Sequence, residues 1–267
     1  VIASADRIAA IFDRPRAAGR AALILYVMAG DPDLETSALV IEAVSAAGAD
    51  LIELGIPYGD PLADGPTIAA AGTRALAAGA SLEATLALAA DVAARGSAPL
   101  IFFTYVNPIA QFGPARFARA AAAAGALGAI VPDVPLEEID EFAPAFHAAG
   151  LGIPLLVAPT TPPARAAAIA ARTDGFTYLV SRLGVTGARR EPDVAWIAGA
   201  VERLRVHATK PLAVGFGIST PDHVRRVGGL ADGVIVGSAL IDAIAGLRGA
   251  AAADAAHNFV SSLRAAL

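Results

Sequence analysis

Eight short apolar runs recur along the 267 residues, and they limit the possible fold more than any other feature. They are LILYVMAG (23–30), DLIELGI (50–56), PLIFFTYV (99–106), GAIVPDV (128–134), IPLLVAP (153–159), FTYLVSR (176–182), PLAVGFG (211–217) and DGVIVGSA (232–239). Amphipathic, alanine-rich segments long enough for helices lie between them. One of these, ETSALVIEAVSAAGA (35–49), closes on the glycine typical of a helix C-terminus. The runs are apolar on both faces, as parallel strands covered by helices are. About eight strand–helix units without a break in composition match the α/β template of a (β/α)8 TIM barrel. A chain of this length fits one such domain, so residues 1–267 read as a single barrel. A doubly wound open sheet is the alternative, but the GxGxxG turn that often follows its first strand is absent.

Two segments exceed the minimal unit. Residues 1–20 read as an extra N-terminal helix able to close the barrel floor. Residues 67–97 hold two helical stretches, which predicts an extra helix after the second strand. The longest breaks after strands are PYGDPLADGP (57–66) and RLGVTGARREPD (182–193). Both fall at C-terminal strand ends, where barrels carry their chemistry.

Composition excludes several classes. The net charge of −5 comes with no basic stripe, against a nucleic-acid surface. A single anion can still be held by backbone N–H groups. No window reaches the roughly 18 uninterrupted apolar residues of a membrane span, and the opening residues lack the apolar core of a signal peptide. The expectation is a cytoplasmic protein. Cysteine is absent, which removes disulfides and thiolate catalysis.

Elimination narrows the chemistry further. Lys210 is the single lysine and precedes the seventh strand, at the wrong end of a barrel for a Schiff base. His147, His207, His223 and His257 are scattered without metal-ligand spacing, so no metal site is expected. Carboxylates, tyrosines and hydroxyls remain. Glu53 interrupts an apolar strand, where its side chain can point into the barrel mouth. Apolar surroundings would raise its pKa and let it pass a proton near neutral pH. The competing reading is a buried glutamate paired with an arginine or bonded to nearby backbone. Asp60 and Asp64 stand before proline and glycine, where turn duty is common. Tyr105 and Tyr178 lie in the third and sixth strands, where core packing is the default.

A second signal lies late in the chain. GFGIS (215–219) and VGSAL (236–240) end the seventh and eighth strands with glycine and open toward helices. Glycine allows close backbone approach to an anion, and barrels frequently bind phosphate at this position. Gly184 and Gly187 could add donors from the loop after the sixth strand.

IELGIPYGDPLADGP, TYVNPI, VPDVPLEE, LVAPTTP, YLVSRLGVTG, AVGFGIS and DGVIVGSAL occur in this order. Together they resemble the tryptophan synthase α subunit family over essentially the whole chain. The resemblance implies retro-aldol cleavage of indole-3-glycerol phosphate to indole and glyceraldehyde 3-phosphate, with no cofactor or metal in this chain. Glu53 matches the general acid–base, Asp64 the carboxylate that binds the indole N–H, and Tyr178 an active-site tyrosine. Tyr26, Tyr105 and Phe216 match substrate-binding positions, and Thr186 matches the threonine of a closing loop. Gly187, Gly217, Gly237 and Ser238 match a phosphate cradle. Pro57 and Asp60 match the loop facing the usual partner, a pyridoxal-phosphate-dependent β subunit, in an αββα assembly. A weakly catalytic activating subunit and a stand-alone indole-releasing lyase are the alternatives. The sequence departs from the family pattern at Tyr58 and Gly59, where PFSDP is common, and at Met28, where a small polar residue is common. Tyr26 replaces a frequent phenylalanine.

Overall fold

The computed structural model describes residues 4–181 and 192–267. Its strands are β1 (Ala22–Met28), β2 (Leu51–Gly55), β3 (Leu100–Phe103), β4 (Ala129–Ile130), β5 (Leu155–Val157), β6 (Thr177–Val180), β7 (Leu212–Gly215) and β8 (Gly233–Val236). They form one parallel sheet in the order β4-β3-β2-β1-β8-β7-β6-β5. The two ends of this sheet meet through a bridge between Gly128 and Gly152. The Ala129 N–H donates to the Gly152 carbonyl at 3.1 Å, and the Gly152 N–H donates to the Leu127 carbonyl at 3.0 Å. A Cβ on Gly128 would lie 2.1 Å from the Gly152 oxygen, so the approach needs a residue without one. The sheet is therefore a barrel and not the open alternative.

Period-two alternation divides the side chains into two layers. Leu23, Leu25 and Val27 of β1, Ile52 and Leu54 of β2, and Phe102 of β3 point outward and pack with the helices. Ile24, Tyr26 and Met28, with Leu51, Ile101, Phe103, Tyr178, Ala213 and Ile235, fill the interior. Near-complete burial of both layers explains why the strands read as apolar runs and not as alternating ones.

The N-terminal segment closes the floor as expected, but it is not one helix. It runs as Ser4–Ala9, a 3₁₀ turn Ala10–Phe12, and Asp13–Ala17. Pro15 lacks the N–H that a continuous helix would use there. Ile8 and Phe12 are fully buried beneath the strands, and the Phe12 ring lies 5.6 Å from that of Phe176. The two helices expected between β2 and β3 are Pro66–Ala77 and Leu82–Ala94. Two further duplications escaped the sequence reading. Val106–Phe112 and Pro114–Ala123 follow β3, and Ser238–Ala243 and Gly249–Arg264 follow β8. Gly113 at φ +91° followed by Pro114 separates the first pair. Among the described residues no single helix is long and apolar enough to cross a membrane.

Candidate active site

The alternation that buries Leu51 also sends Glu53 into the barrel, in register with Tyr26 of β1 and Ile101 of β3. Glu53 is 1% exposed, and its Oε1 has no hydrogen-bond partner. No arginine faces it among the described residues. Burial alone pushes its pKa up to about 8, because the interior penalises the charged form. The paired-glutamate reading is thus not what the structure shows.

Glu53 borders a cavity at the C-terminal ends of the strands, the end at which barrels carry their chemistry. Asp64 reaches the same cavity from the loop that follows β2. Burial raises its pKa to about 6, while a hydrogen bond from the Tyr105 hydroxyl pulls the other way. That hydroxyl also accepts the Ala63 N–H at 3.1 Å. Tyr105, expected to line the pocket, is not among the residues lining the cavity and reaches it through Asp64. Beyond Phe103 the chain leaves the barrel, and Tyr105 caps the helix Val106–Phe112. From there it supports the loop from behind, 2% exposed, with its ring 5.6 Å from that of Tyr58. Tyr58 in turn accepts a hydrogen bond from Asn107 Nδ2 at 2.8 Å, so this departure ties the loop to the helix after β3.

Tyr26 and Tyr178 face the cavity from β1 and β6. Their hydroxyls occupy space that two glycines leave open. A Cβ on Gly55 would lie 2.2 Å from the Tyr26 hydroxyl, and one on Gly215 2.4 Å from that of Tyr178. Burial raises both phenols well above their ordinary value, with Asp64 adding to the effect at Tyr26 and Glu53 at Tyr178, so each is a neutral O–H group. Tyr26 packs edge-on to Phe103 and donates to Met28 Sδ at 3.9 Å. The apolar residue at 28 therefore receives the hydroxyl that Tyr26 adds over phenylalanine.

The opposite wall is the turn after β7. Phe216 has φ +75° and Gly217 φ +74°, and the left-handed conformation of Phe216 costs about 1–2 kcal/mol. The Phe216 ring meets Tyr178 edge-on at 5.9 Å. Gly217, Gly237 and Ser238 line the same cavity, so both glycine-ended strands converge on it. The helix Ser238–Ala243 starts at this wall, and the first N–H groups of a helix have no partner within it. Further along, the Ser219 N–H donates to Nδ1 of the buried His223 at 3.3 Å.

Thr186 and Gly187, with Gly184, lie outside the described residues. Asp60 is exposed on the loop after β2, whereas Pro57 is buried within this chain. Leu62, 73% exposed, adds an apolar side chain to the loop's outward face. The sequence reading missed Ile68, Phe103, Ile218, Ile235 and Ala239, all of which line the cavity. Phe103 and Ile235 were accessible to it, since each stands on the inward parity of its strand.

Comparison with known proteins agrees with this geometry. The family profile described as "Tryptophan synthase alpha chain" matches residues 12–266. The chain is 49% identical over 254 residues to the tryptophan synthase alpha chain of Prochlorococcus marinus (strain MIT 9313), covering 95% of this chain and 92% of that one. It is 50% identical over 245 residues to that of Gloeobacter violaceus, covering 91% and 88%. Among solved structures it is similar to Mycobacterium tuberculosis tryptophan synthase, with TM-score 0.90, 37% identity and 97% of each chain covered. Tryptophan synthase subunit alpha from Legionella pneumophila gives 0.88 at 33% identity, covering 100% of this chain and 98% of that one. With the profile spanning nearly the whole barrel and relatives near half identical, the chain belongs to the tryptophan synthase alpha chain family.

Proposed function

We propose that Glu53 is the proton carrier for the reaction of this family, cleavage of indole-3-glycerol phosphate to indole and glyceraldehyde 3-phosphate. The chain is a carbon–carbon lyase by family, and the family's α chain carries no cofactor of its own. A carboxyl group whose pKa is pushed up to about 8 holds its proton at neutral pH and can give it to a carbon. Transfer from Glu53 to indole C3 makes the indolenine and leaves a carboxylate. That carboxylate then takes the proton of the C3′ hydroxyl. As the C3′ carbonyl forms, the C3–C3′ bond breaks and its electron pair returns to the ring. Glu53 ends protonated, so one group serves both steps and the cycle balances.

Asp64 is suited to the complementary task. With a pKa near 6 it is mostly ionised at neutral pH, accepts the indole N–H and stabilises the positive charge that develops on the ring. Charge already fixed in position needs no reorganisation when the reaction occurs. Phe216 and Tyr26 offer apolar ring surface to the indole, and the neutral Tyr178 hydroxyl offers a hydrogen bond. Backbone N–H groups at Gly217, Gly237 and Ser238 bind the phosphate, together with Gly187, while Thr186 acts in loop closure. Tyr105 contributes by holding Asp64 in place.

The family pairs with a β subunit, and we assign the loop carrying Asp60 to that contact, with Pro57 at its base, in an αββα assembly in the cytoplasm. Pyridoxal phosphate belongs to the β partner. All 267 residues serve as one barrel domain.

The observation that carries this reading is the buried Glu53 carboxyl, its Oε1 without a hydrogen-bond partner, in one cavity with Asp64 and the glycine-lined wall. Glu53→Gln should bind indole and glyceraldehyde 3-phosphate as the parent does, yet release almost no indole from indole-3-glycerol phosphate. Substantial turnover by the variant would remove Glu53 from the mechanism.

A further inference from the structure

Phe216 holds a backbone conformation that side-chain-bearing residues avoid, and a feature of this kind persists only where its surroundings enforce it. The structure identifies what enforces it. Ser181, 4% exposed at the end of β6, reaches across to the turn after β7. Its N–H donates to the Gly215 carbonyl at 3.0 Å, and its Oγ lies 2.8 Å from that carbonyl oxygen and 2.5 Å from the Phe216 carbonyl oxygen. The single hydroxyl proton is shared between two successive carbonyls. A carbonyl and the following N–H belong to one planar trans peptide and point in opposite directions. Drawing the Phe216 carbonyl toward Ser181 therefore turns the Gly217 N–H the other way, and Gly217 lines the cavity.

We propose that Ser181 is a positioning residue for phosphate recognition: its hydroxyl clasps the turn at 215–217 and so aims the Gly217 N–H at the substrate's phosphate. This rests on the reading of that wall as the phosphate cradle. Ser181 itself touches no substrate.

The test measures binding of glyceraldehyde 3-phosphate, glyceraldehyde and indole by calorimetry, alongside steady-state cleavage of indole-3-glycerol phosphate. Ser181→Ala keeps the backbone bond to Gly215 and loses the clasp. It should raise both the Kd for glyceraldehyde 3-phosphate and the KM by about tenfold, the ratio that one hydrogen bond carries. The kcat and the indole Kd should stay within about twofold. Ser181→Thr, which keeps the hydroxyl, should restore binding. In a Phe216→Gly background the turn adopts its conformation freely, so Ser181→Ala should there cost less than about twofold. An unchanged KM, equal weakening of indole, or the same penalty in the glycine background would overturn the clasp. If the parent chain binds glyceraldehyde as tightly as its phosphate ester, the cradle reading itself fails, and the clasp with it. If the parent prefers the ester and Ser181→Ala does so equally, only the clasp fails.

Discussion

Replacing Glu53 by glutamine removes one titrating proton from the barrel interior while keeping the shape of the side chain. Glu53 has a pKa of about 8 in the folded chain against 4.5 for an ordinary glutamate. Between those values the folded chain binds a proton that the unfolded chain has released, so stability falls as pH rises. The contribution is fully present below pH 4.5 and is lost progressively up to pH 8. The slope approaches ~1.4 kcal/mol per pH unit, and integration from pH 5 to pH 8 gives ~3–4 kcal/mol. Glutamine does not titrate, and every other group is common to both proteins. The stability difference, Glu53→Gln minus parent, should therefore climb by that amount over the window. Urea unfolding at pH 5, 6, 7 and 8, followed by near- and far-ultraviolet circular dichroism together, measures it. Any fixed cost of burying the amide moves the whole curve and leaves its slope intact. Parallel stability curves for the two proteins would show that Glu53 ionises as an ordinary carboxylate, and the neutral acid on which the mechanism depends would be lost.

The two carboxyl groups also set the pH dependence of catalysis. The kcat/KM for indole release should rise through about pH 6 as Asp64 ionises and fall through about pH 8 as Glu53 loses its proton; a rate still climbing at pH 9 would contradict this. Tyr105→Phe deletes the hydrogen bond that lowers the Asp64 pKa, so the acidic limb should move to higher pH while the alkaline limb stays put. Phe12→Ala should cost about 3–5 kcal/mol in urea unfolding, the usual range for emptying a fully buried aromatic site. A loss below 1 kcal/mol would mean that the N-terminal segment does not seal the floor.

Much of this was legible in the sequence for identifiable reasons. Apolar runs flanked by helical segments located all eight strands, because strands buried on both faces leave a continuous signal. Glu53 stood out because a lone carboxylate in such a run needs an explanation. The shared glycine endings of the seventh and eighth strands pointed to a common wall. What stayed hidden depends on where the chain turns or on contacts distant in sequence. Tyr105 continues an apolar run, but the strand has already ended at Phe103, so its parity no longer predicts where its side chain goes. The run at 128–134 contracts to a strand of two residues before Pro132, which no ladder N–H could serve. Met28 made no sense alone and becomes intelligible beside the Tyr26 hydroxyl. Ser181 touches a turn 35 positions away, a distance that no local pattern reports.

The bridge between Gly128 and Gly152 gives the ring a seam. β1, with its seven residues, is flanked by ladders on both sides, whereas β4 and β5 have two and three residues and meet through one bridge. Opening the cylinder there breaks the fewest backbone hydrogen bonds, so thermal breathing should begin on that side. The amides of Ala129 and Gly152 should take up deuterium well ahead of those in β1. The arc carrying Glu53 and Tyr26 sits on the long strands away from this joint, which keeps the proton-handling side rigid while the far side gives.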